Sequence, residues 1–427
     1  MQKIDNPDRK DWKDVLKRPT QTVSDIEATV NTIFEEVKVN GDLALKKYTQ
    51  KFDGINLEDF LVTASEIEEA NTLVSEELKS AIQLAKSNIE TFHSAQKTDR
   101  VTVETSKGVQ CWQEKRPIQK IGLYIPGGTA PLFSTILMLA VPAAIAGCKE
   151  IVLCSPPDSE GRINPAILYT ANLCGVTRIF KVGGIQAIAG MTFGTERIPQ
   201  VYKIFGPGNQ FVTVAKQIAT KHGVAIDMPA GPSELLVVAD DTANTAFVAS
   251  DLLSQAEHGT DSQVILVSTS RQLIHAVEKE VEVQLNALPR KDIAEKAMAN
   301  SKLIRVKDDV MAIDLINAYG PEHYIVCVEN EDFYIENICN AGSVFIGNYT
   351  PESAGDYASG TNHTLPTNGY AKQYSGVNLD SFMKSMTFQK LSKEGIMNIG
   401  NAIEVMAEAE GLQAHKNAVT LRLNSLE

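Results

Sequence analysis

No two cysteines in this 427-residue chain have the Cys-x-x-Cys spacing of a zinc ribbon or a dithiol redox motif. The six present (Cys111, Cys148, Cys154, Cys174, Cys327 and Cys339) sit mostly in apolar strand- or helix-like runs and read as buried, reduced thiols of a cytosolic protein. Cys154, in "VLCSPP", is the only one near a strand end where a nucleophile would sit, and it too reads as structural. Positive charge is scarce. Forty Lys and Arg against 53 Asp and Glu leave a net charge of −13, which excludes a DNA or RNA binder that works through a basic face. The first residues, "MQKIDNPDRKDW", have no apolar core and do not read as a signal peptide. From Ile121 to Cys148 there is no charge, but Pro126, Gly127, Gly128, Pro131 and Pro142 interrupt the run, so a strand followed by a buried helix fits better than a membrane span. We therefore expect a cytoplasmic protein with neither a nucleic-acid nor a membrane partner.

Repeats and low-complexity segments are absent too. What is present, 43% hydrophobic and 22% charged residues, is ordinary for a globular protein long enough for about two to four domains. The first hundred residues read mainly as helices, one ending at Gly41 and another running from Ser65 to about Phe92. "VTVETSKGVQCWQEKRPI" reads as a hairpin turning at Ser106–Gly108. From Ile121 apolar strands alternate with helices: "IGLYIPGG", "EIVLCSPP", "TRIFKVGG" and "KIFGPG", then "ELLVVAD", "SQVILVST", "YIVCVE" and "GSVFIG". That rhythm predicts parallel α/β sheets covered on both faces. The chain divides into an inserted unit, 116–232, and a discontinuous one, 22–115 with 233–365. Residues 1–21 and 366–427 form accessory regions, and the end from Leu391 is mostly helical.

Three strand-to-helix turns carry glycines: "YIPGGTA", "KVGGIQA" and "FGPGNQF". Glycine lets a ligand approach the backbone, and the helix N-terminus that follows favours phosphate. None matches the dinucleotide fingerprint, since Phe211 stands where "GPGNQF" would need its third glycine. Three such turns on one sheet edge favour a nucleotide site, because ligands of these sheets bind at the strands' carboxyl ends. In "LLSQAEHGTDSQ", Gln255 and His258 are three apart and share a helix face, with Gly259 placed as a left-handed stop. Taken alone, His258 reads best as a cation complementing the helix C-terminus, with a metal ligand as the sharper alternative. Of the seven histidines, His93, His222 and His275 read as surface residues. His323 follows Glu322 in "YGPEHY", His415 lies in "AEGLQAHKN", and Asp356 sits in the polar loop "ESAGDYASG".

Six motifs now make a pattern. "GLYIPGGTAPLFSTILMLAVPAAIAGC", "FGPGNQFV", "AIDMPAGPSE", "DLLSQAEHG", "GPEHY" and "SAGDYASGTNHTLPT", in this order through essentially the whole chain, resemble the histidinol dehydrogenase family. The resemblance implies two incomplete Rossmann-like parallel-sheet domains, one inserted in the other, with small, mainly helical accessory regions from the termini that serve dimerisation. It implies oxidation of L-histidinol to L-histidine through the aldehyde with two NAD⁺. One Zn²⁺ per subunit would be held by Gln255, His258 and Asp356, with His415 supplied by the other subunit of a homodimer. Two imidazoles, an amide oxygen and one carboxylate leave such a metal net positive and open to substrate nitrogens. By the same match His323 is the base for the alcohol proton and Glu322 activates water on the aldehyde. Tyr124, Gln186 and Asn209 contact NAD. Ser233 and Glu410, with the zinc ligands and His323, contact the small-molecule substrate, and His363 receives no role.

Two residue-level points accompany the resemblance. A carboxylate beside an imidazole should raise the histidine's pKa, and adjacent strand residues face opposite ways unless "GPEH" bends. Rival readings are a dehydrogenase of another amino or sulfonated alcohol on the same scaffold, a zinc hydrolase with Glu322 as water base, and a non-catalytic nucleotide binder. The nucleotide turns speak against the hydrolase, and the Gln–His–Asp–His set against the binder.

Overall fold

The computed structural model describes residues 1–19, 24–127, 131–229 and 231–426. Gly128 of the first glycine turn and Ala230 of "DMPAGPS" therefore lie outside the described residues. The chain begins with strand β1 (Gln2–Asp5) and helices α1 (Trp12–Val15), α2 (Ser24–Asp53), α3 (Ala64–Leu73) and α4 (Glu76–Ser94). The hairpin β2 (Val101–Ser106) and β3 (Val109–Pro117) leads into β4 (Lys120–Tyr124), α5 (Phe133–Ala146), β5 (Glu150–Ser155) and α6 (Pro165–Leu173). Next come β6 (Arg178–Lys181), α7 (Gly184–Phe193), β7 (Lys203–Phe205), α8 (Gln210–Lys221) and β8 (Ala225–Ile226). A second alternating run follows: β9 (Glu234–Ala239), α9 (Thr245–Ala256), β10 (Gln263–Ser268), α10 (Arg271–Ala287) and α11 (Lys291–Ala299). It continues with β11 (Lys302–Arg305), α12 (Asp309–Tyr319), β12 (His323–Cys327), α13 (Glu331–Asn337), β13 (Ser343–Ile346) and α14 (Glu352–Tyr357). β14 (Met383–Leu391), α15 (Lys393–Ala409) and α16 (Gln413–Asn424) complete the chain.

Two parallel sheets carry the architecture. The five-stranded sheet runs β6-β5-β4-β7-β8, and in the six-stranded sheet β11-β10-β9-β12-β13 is extended by β1 beside β11. Numbered within each unit, both orders are 3-2-1-4-5, the dinucleotide-binding order lacking its sixth strand. The α/β expectation of two incomplete Rossmann-like domains therefore holds. β14, β3 and β2 form a small antiparallel sheet, with the expected hairpin turning after Ser106.

Packing regroups the N-terminal helices. Ile26, Val30, Phe34 and Leu45 of α2 share a core with Val152, Ile188 and Ala215, while Ile82 and Ile89 of α4 share one with Ile121, Leu137 and Leu153. Trp12 and Leu16 instead enter the six-stranded sheet's core beside Leu236 and Ile304. The sequence-based division joins 22–115 to 233–365. On this packing we propose that the helices of 24–94 go with 116–232, and that the chain start goes with the six-stranded sheet. Helical periodicity reports that a face is buried, not which sheet buries it.

Local readings fare unevenly. Gly41, at φ +49° and ψ −127°, is not helical, so the first helical stretch of α2 ends there as expected and a second follows it within the same span, while the helix expected from Ser65 to Phe92 breaks at Val74–Ser75. β1, β11 and β14 went unread because short or solvent-washed strands such as "QKID" lack an apolar signature.

One glycine turn is held tightly. A Cβ on Gly206, at φ +129°, would meet the Tyr124 carbonyl oxygen at 2.1 Å. The Gly206 N–H donates to Asp227 Oδ2 (2.8 Å), its carbonyl accepts from Lys216 Nζ (2.8 Å), and Lys216 and Asp227 form a buried ion pair. Gly206→Ala should therefore destabilise the protein by at least ~1–3 kcal/mol. The measurement is thermal unfolding, and an unchanged midpoint would refute the close approach.

Candidate active site

A cavity of about 1300 Å³ lies between the two parallel sheets. Tyr124, Gln186, Asn209, Ser233, Gln255, His258, Glu322, His323 and Asp356 all line it. The sheets meet it by opposite edges. The five-stranded sheet presents the carboxyl ends of β4, β6 and β7, where the three glycine turns leave it. The six-stranded sheet presents its amino edge, where β9 begins after Ser233, β12 begins at His323 and α9 ends. The carboxyl-end rule thus describes one half of the cavity only.

On the first side Tyr124, Gly184 and Asn209, one from each of the three turn motifs, line the cavity together. The Gly184 N–H donates to the Tyr124 hydroxyl (3.1 Å), which ties the turn after β6 to the end of β4, and burial pushes the Tyr124 phenol up to about 12. Asn209 caps α8, its Oδ1 accepting from the Val212 N–H (3.1 Å). Gln186, in the first turn of α7, is fully buried, and neither its Oε1 nor its Nε2 has a hydrogen-bond partner among the described residues. A buried amide left this way is ready for a ligand.

On the second side the backbone of Glu234 organises the chemistry. Its N–H donates to Glu322 Oε2 (2.8 Å), and its carbonyl accepts from Gln255 Nε2 (3.3 Å). His323 Nδ1 lies 3.3 Å from that carbonyl, which can only accept, so Nδ1 carries a proton. Nε2 has no hydrogen-bond partner among the described residues and stands 3.6 Å from Asp356 Oδ1. Glu322 precedes the first paired residue of β12, so the chain bends there and both side chains reach the cavity, Glu322 Oε2 lying 3.5 Å from His323 Nδ1.

His258 is placed differently from the expectation. α9 ends at Ala256, and His258 lies in the following turn, its N–H donating to the Gln255 carbonyl (3.3 Å). Gly259 is not left-handed, and right-handed Glu257 makes the cap. The turn still aims His258 and Gln255 at one cavity. Gln255 is 1% exposed, and with its Nε2 engaged, Oε1 is left without a partner among the described residues.

Charge is concentrated here. Burial alone would lower the His323 pKa, but the charges of Glu352 and Glu322 and the contact with Asp356 hold it well above its ordinary value, the direction expected. Burial pushes Glu352 well up despite His323. Asp356 is likewise opposed by burial, yet His323 draws it below the usual carboxylate range.

The structure does not bring every expected residue together. Glu410, at the end of α15, and His415, on α16, are exposed and do not line the cavity of their own chain. His363 does line it: Nδ1 donates to the Asp356 carbonyl (2.9 Å), and Nε2 lies 3.1 Å from Thr135 Oγ1. His93, read as a surface residue, is fully buried, with Nδ1 donating to the Ile89 carbonyl (2.9 Å). Glu352 was missed. One helical turn before Asp356, it brings a carboxylate oxygen within 4.8 Å of ligand atoms of His258 and Asp356, and its i, i+4 spacing was the available signal.

Fold and site together define the class, an oxidoreductase of α/β build. The histidinol dehydrogenase family model matches residues 16–423. The chain is 60% identical to a histidinol dehydrogenase of Bacteroides thetaiotaomicron over 427 residues, covering 100% of both. To that of Escherichia coli strain K12 it is 54% identical over 418 residues, 97% of this chain and 95% of the relative. The crystal structure of histidinol dehydrogenase from Elizabethkingia anophelis superposes with a TM-score of 0.98 at 59% identity, covering 100% of this chain and 98% of that one. The chain belongs to the histidinol dehydrogenase family.

The thiols stand apart from this site. None lines the cavity, and Cys154 is fully buried, which pushes its thiol far above the range of a nucleophile. Cys154→Ala should keep turnover within about threefold if aldehyde chemistry avoids a thiohemiacetal. Loss of aldehyde oxidation in a folded variant would reverse this.

Proposed function

We propose that the protein oxidises L-histidinol to L-histidine through L-histidinaldehyde, using two NAD⁺ and one zinc ion per subunit, as a cytoplasmic homodimer with shared active sites. The observation that carries this reading is the single cavity in which the glycine turns of one sheet face the Gln255–His258–Asp356 and Glu322–His323 groups of the other. The residues fit a divalent metal. Gln255 Oε1 is a buried acceptor without a partner among the described residues, and His258 and Asp356 stand beside it in the cavity wall. Gln255, His258 and Asp356 would hold zinc with the other subunit's His415. This agrees with the exposure of His415 in its own chain, and Glu410 would reach substrate by the same route. Tyr124, Gln186 and Asn209 would contact NAD, the free amide of Gln186 being the strongest support.

When bound, zinc supplies a Lewis acid that anchors the substrate's nitrogens, and NAD⁺ supplies the hydride acceptor. The chain's own groups do the proton work. His323 Nε2 takes the alcohol proton as hydride leaves the carbinol carbon, while the Glu234 carbonyl holds the ring through Nδ1. Glu322 then takes a proton from water as its oxygen adds to the aldehyde, and the resulting hydrate gives up the second hydride. Ser233 and the metal-binding residues line the space where substrate is positioned.

The direct test is NADH formation from L-histidinol, which a chelator should abolish and added zinc restore. Turnover of another amino alcohol in place of L-histidinol, or hydrolysis without NADH, would overturn the reading. His323→Asn should lose most in alcohol oxidation and Glu322→Gln most in oxidation of supplied aldehyde, each by ~10²–10⁴-fold. Equal losses in both half-reactions would sink the division of roles. For the shared site, a His415→Ala chain mixed with a His258→Ala chain should regain activity, because the heterodimer keeps one intact site. A well-mixed heterodimer that stays inactive would refute trans ligation.

A further inference from the structure

Glu352 is used neither by the zinc reading nor by the proton transfers. It is 1% exposed, and neither carboxylate oxygen has a hydrogen-bond partner among the described residues. Ionised or protonated, a carboxyl group keeps acceptor lone pairs that need a donor, and leaving them bare in the interior is costly. Two neighbouring donors are committed, His363 Nδ1 to the Asp356 carbonyl and His323 Nδ1 to the Glu234 carbonyl, and His323 Nε2 faces Asp356 Oδ1 at 3.6 Å. No described residue satisfies the Glu352 carboxyl, which lies just behind the cavity wall beside Asp356 and His258, so we infer that its surroundings are completed by a group that brings a donor or a positive charge.

Two occupants have that chemistry, the metal and the amino group of an amino alcohol. Asp356 stands one turn further along α14 with its side chain 15% exposed, so it meets the cavity while Glu352 lies deeper. In the reading above, Gln255, His258, Asp356 and the other subunit's His415 already give the metal four protein ligands, which leaves Glu352 for the amine although it stands beside two of them. The amine, in contrast, is on the carbon next to the carbinol carbon, which must approach His323. A Glu352 carboxylate oxygen lies within 4.8 Å of a ligand atom of Asp356, whose Oδ1 is 3.6 Å from His323 Nε2.

We propose that Glu352 is a substrate-binding residue that accepts a hydrogen bond from the substrate's amino group. This rests on the amino-alcohol reading above. A nitrogen that also binds the metal still has N–H bonds to donate.

Calorimetric titration of the zinc-loaded enzyme without NAD⁺ tests it, with two probes: L-histidinol and 3-(imidazol-4-yl)propan-1-ol, which lacks only the amine. Glu352→Gln should weaken L-histidinol binding by roughly 10–100-fold and the amine-free alcohol by less than about threefold. Glu352→Met, which removes both acceptors, should weaken L-histidinol further, while metal analysis still finds one zinc per chain. The near-isosteric Gln variant carries the test if the Met variant does not fold. Equal weakening of both probes, or no weakening of L-histidinol, would overturn the assignment. Zinc lost from folded Glu352→Gln would overturn it too, by giving the carboxylate to the metal. If the parent binds neither probe, the functional reading fails first and this inference with it.

Discussion

The amino end of β9 is the constraint on which the site depends. Glu234 begins the central strand of the six-stranded sheet, and its own peptide groups hold Glu322, Gln255 and His323. Its buried side chain is paired with Arg18, whose Nη2 donates to Oε2 (2.8 Å) and to the Tyr319 carbonyl (3.0 Å), and its Oε1 accepts from the Asn368 N–H (2.7 Å). Arg18 also lies over the Tyr319 ring, 3.9 Å from its centroid. A buried ion pair contributes little net stability, but removing one partner strands a charge, so a pair like this fixes position. Segments at residues 18, 234, 319 and 368 are thereby joined directly beneath the histidine that we read as the base.

The opposed edges of the two sheets explain how one cavity accommodates two kinds of chemistry. The carboxyl edge of the five-stranded sheet offers glycine turns, helix N-termini and a free amide, which suit a dinucleotide. The amino edge of the six-stranded sheet offers carboxylates, imidazoles and an amide oxygen, which suit a cation and proton transfer. Neither edge alone makes a dehydrogenase.

Much of the fold was legible because apolar strands alternating with helices admit few arrangements. Eight strand segments were read from runs such as "EIVLCSPP" and "ELLVVAD". The strands missed were those whose pairing comes from neighbours rather than from their own hydrophobicity, β1 and β14 above all. His93 shows the complementary failure: a polar ring beside charged residues reads as exposed, yet backbone and Asn362 contacts allow full burial. His258 shows a third, since a turn beyond the helix still delivers the side chain that helical spacing promised.

By itself the sequence determined the class of fold, the absence of a basic face, the glycine turns and the family, because each is written in local composition or in motifs of fixed order. Only the tertiary structure decided which sheet buries α2–α4, which edges face each other, that Glu322 and His323 reach one cavity across a bend, and that Glu352 lies among them. Those depend on contacts between residues far apart in the chain, such as the 88 positions between Glu234 and Glu322. Periodicity tells a side chain to be buried, and only packing tells it against what.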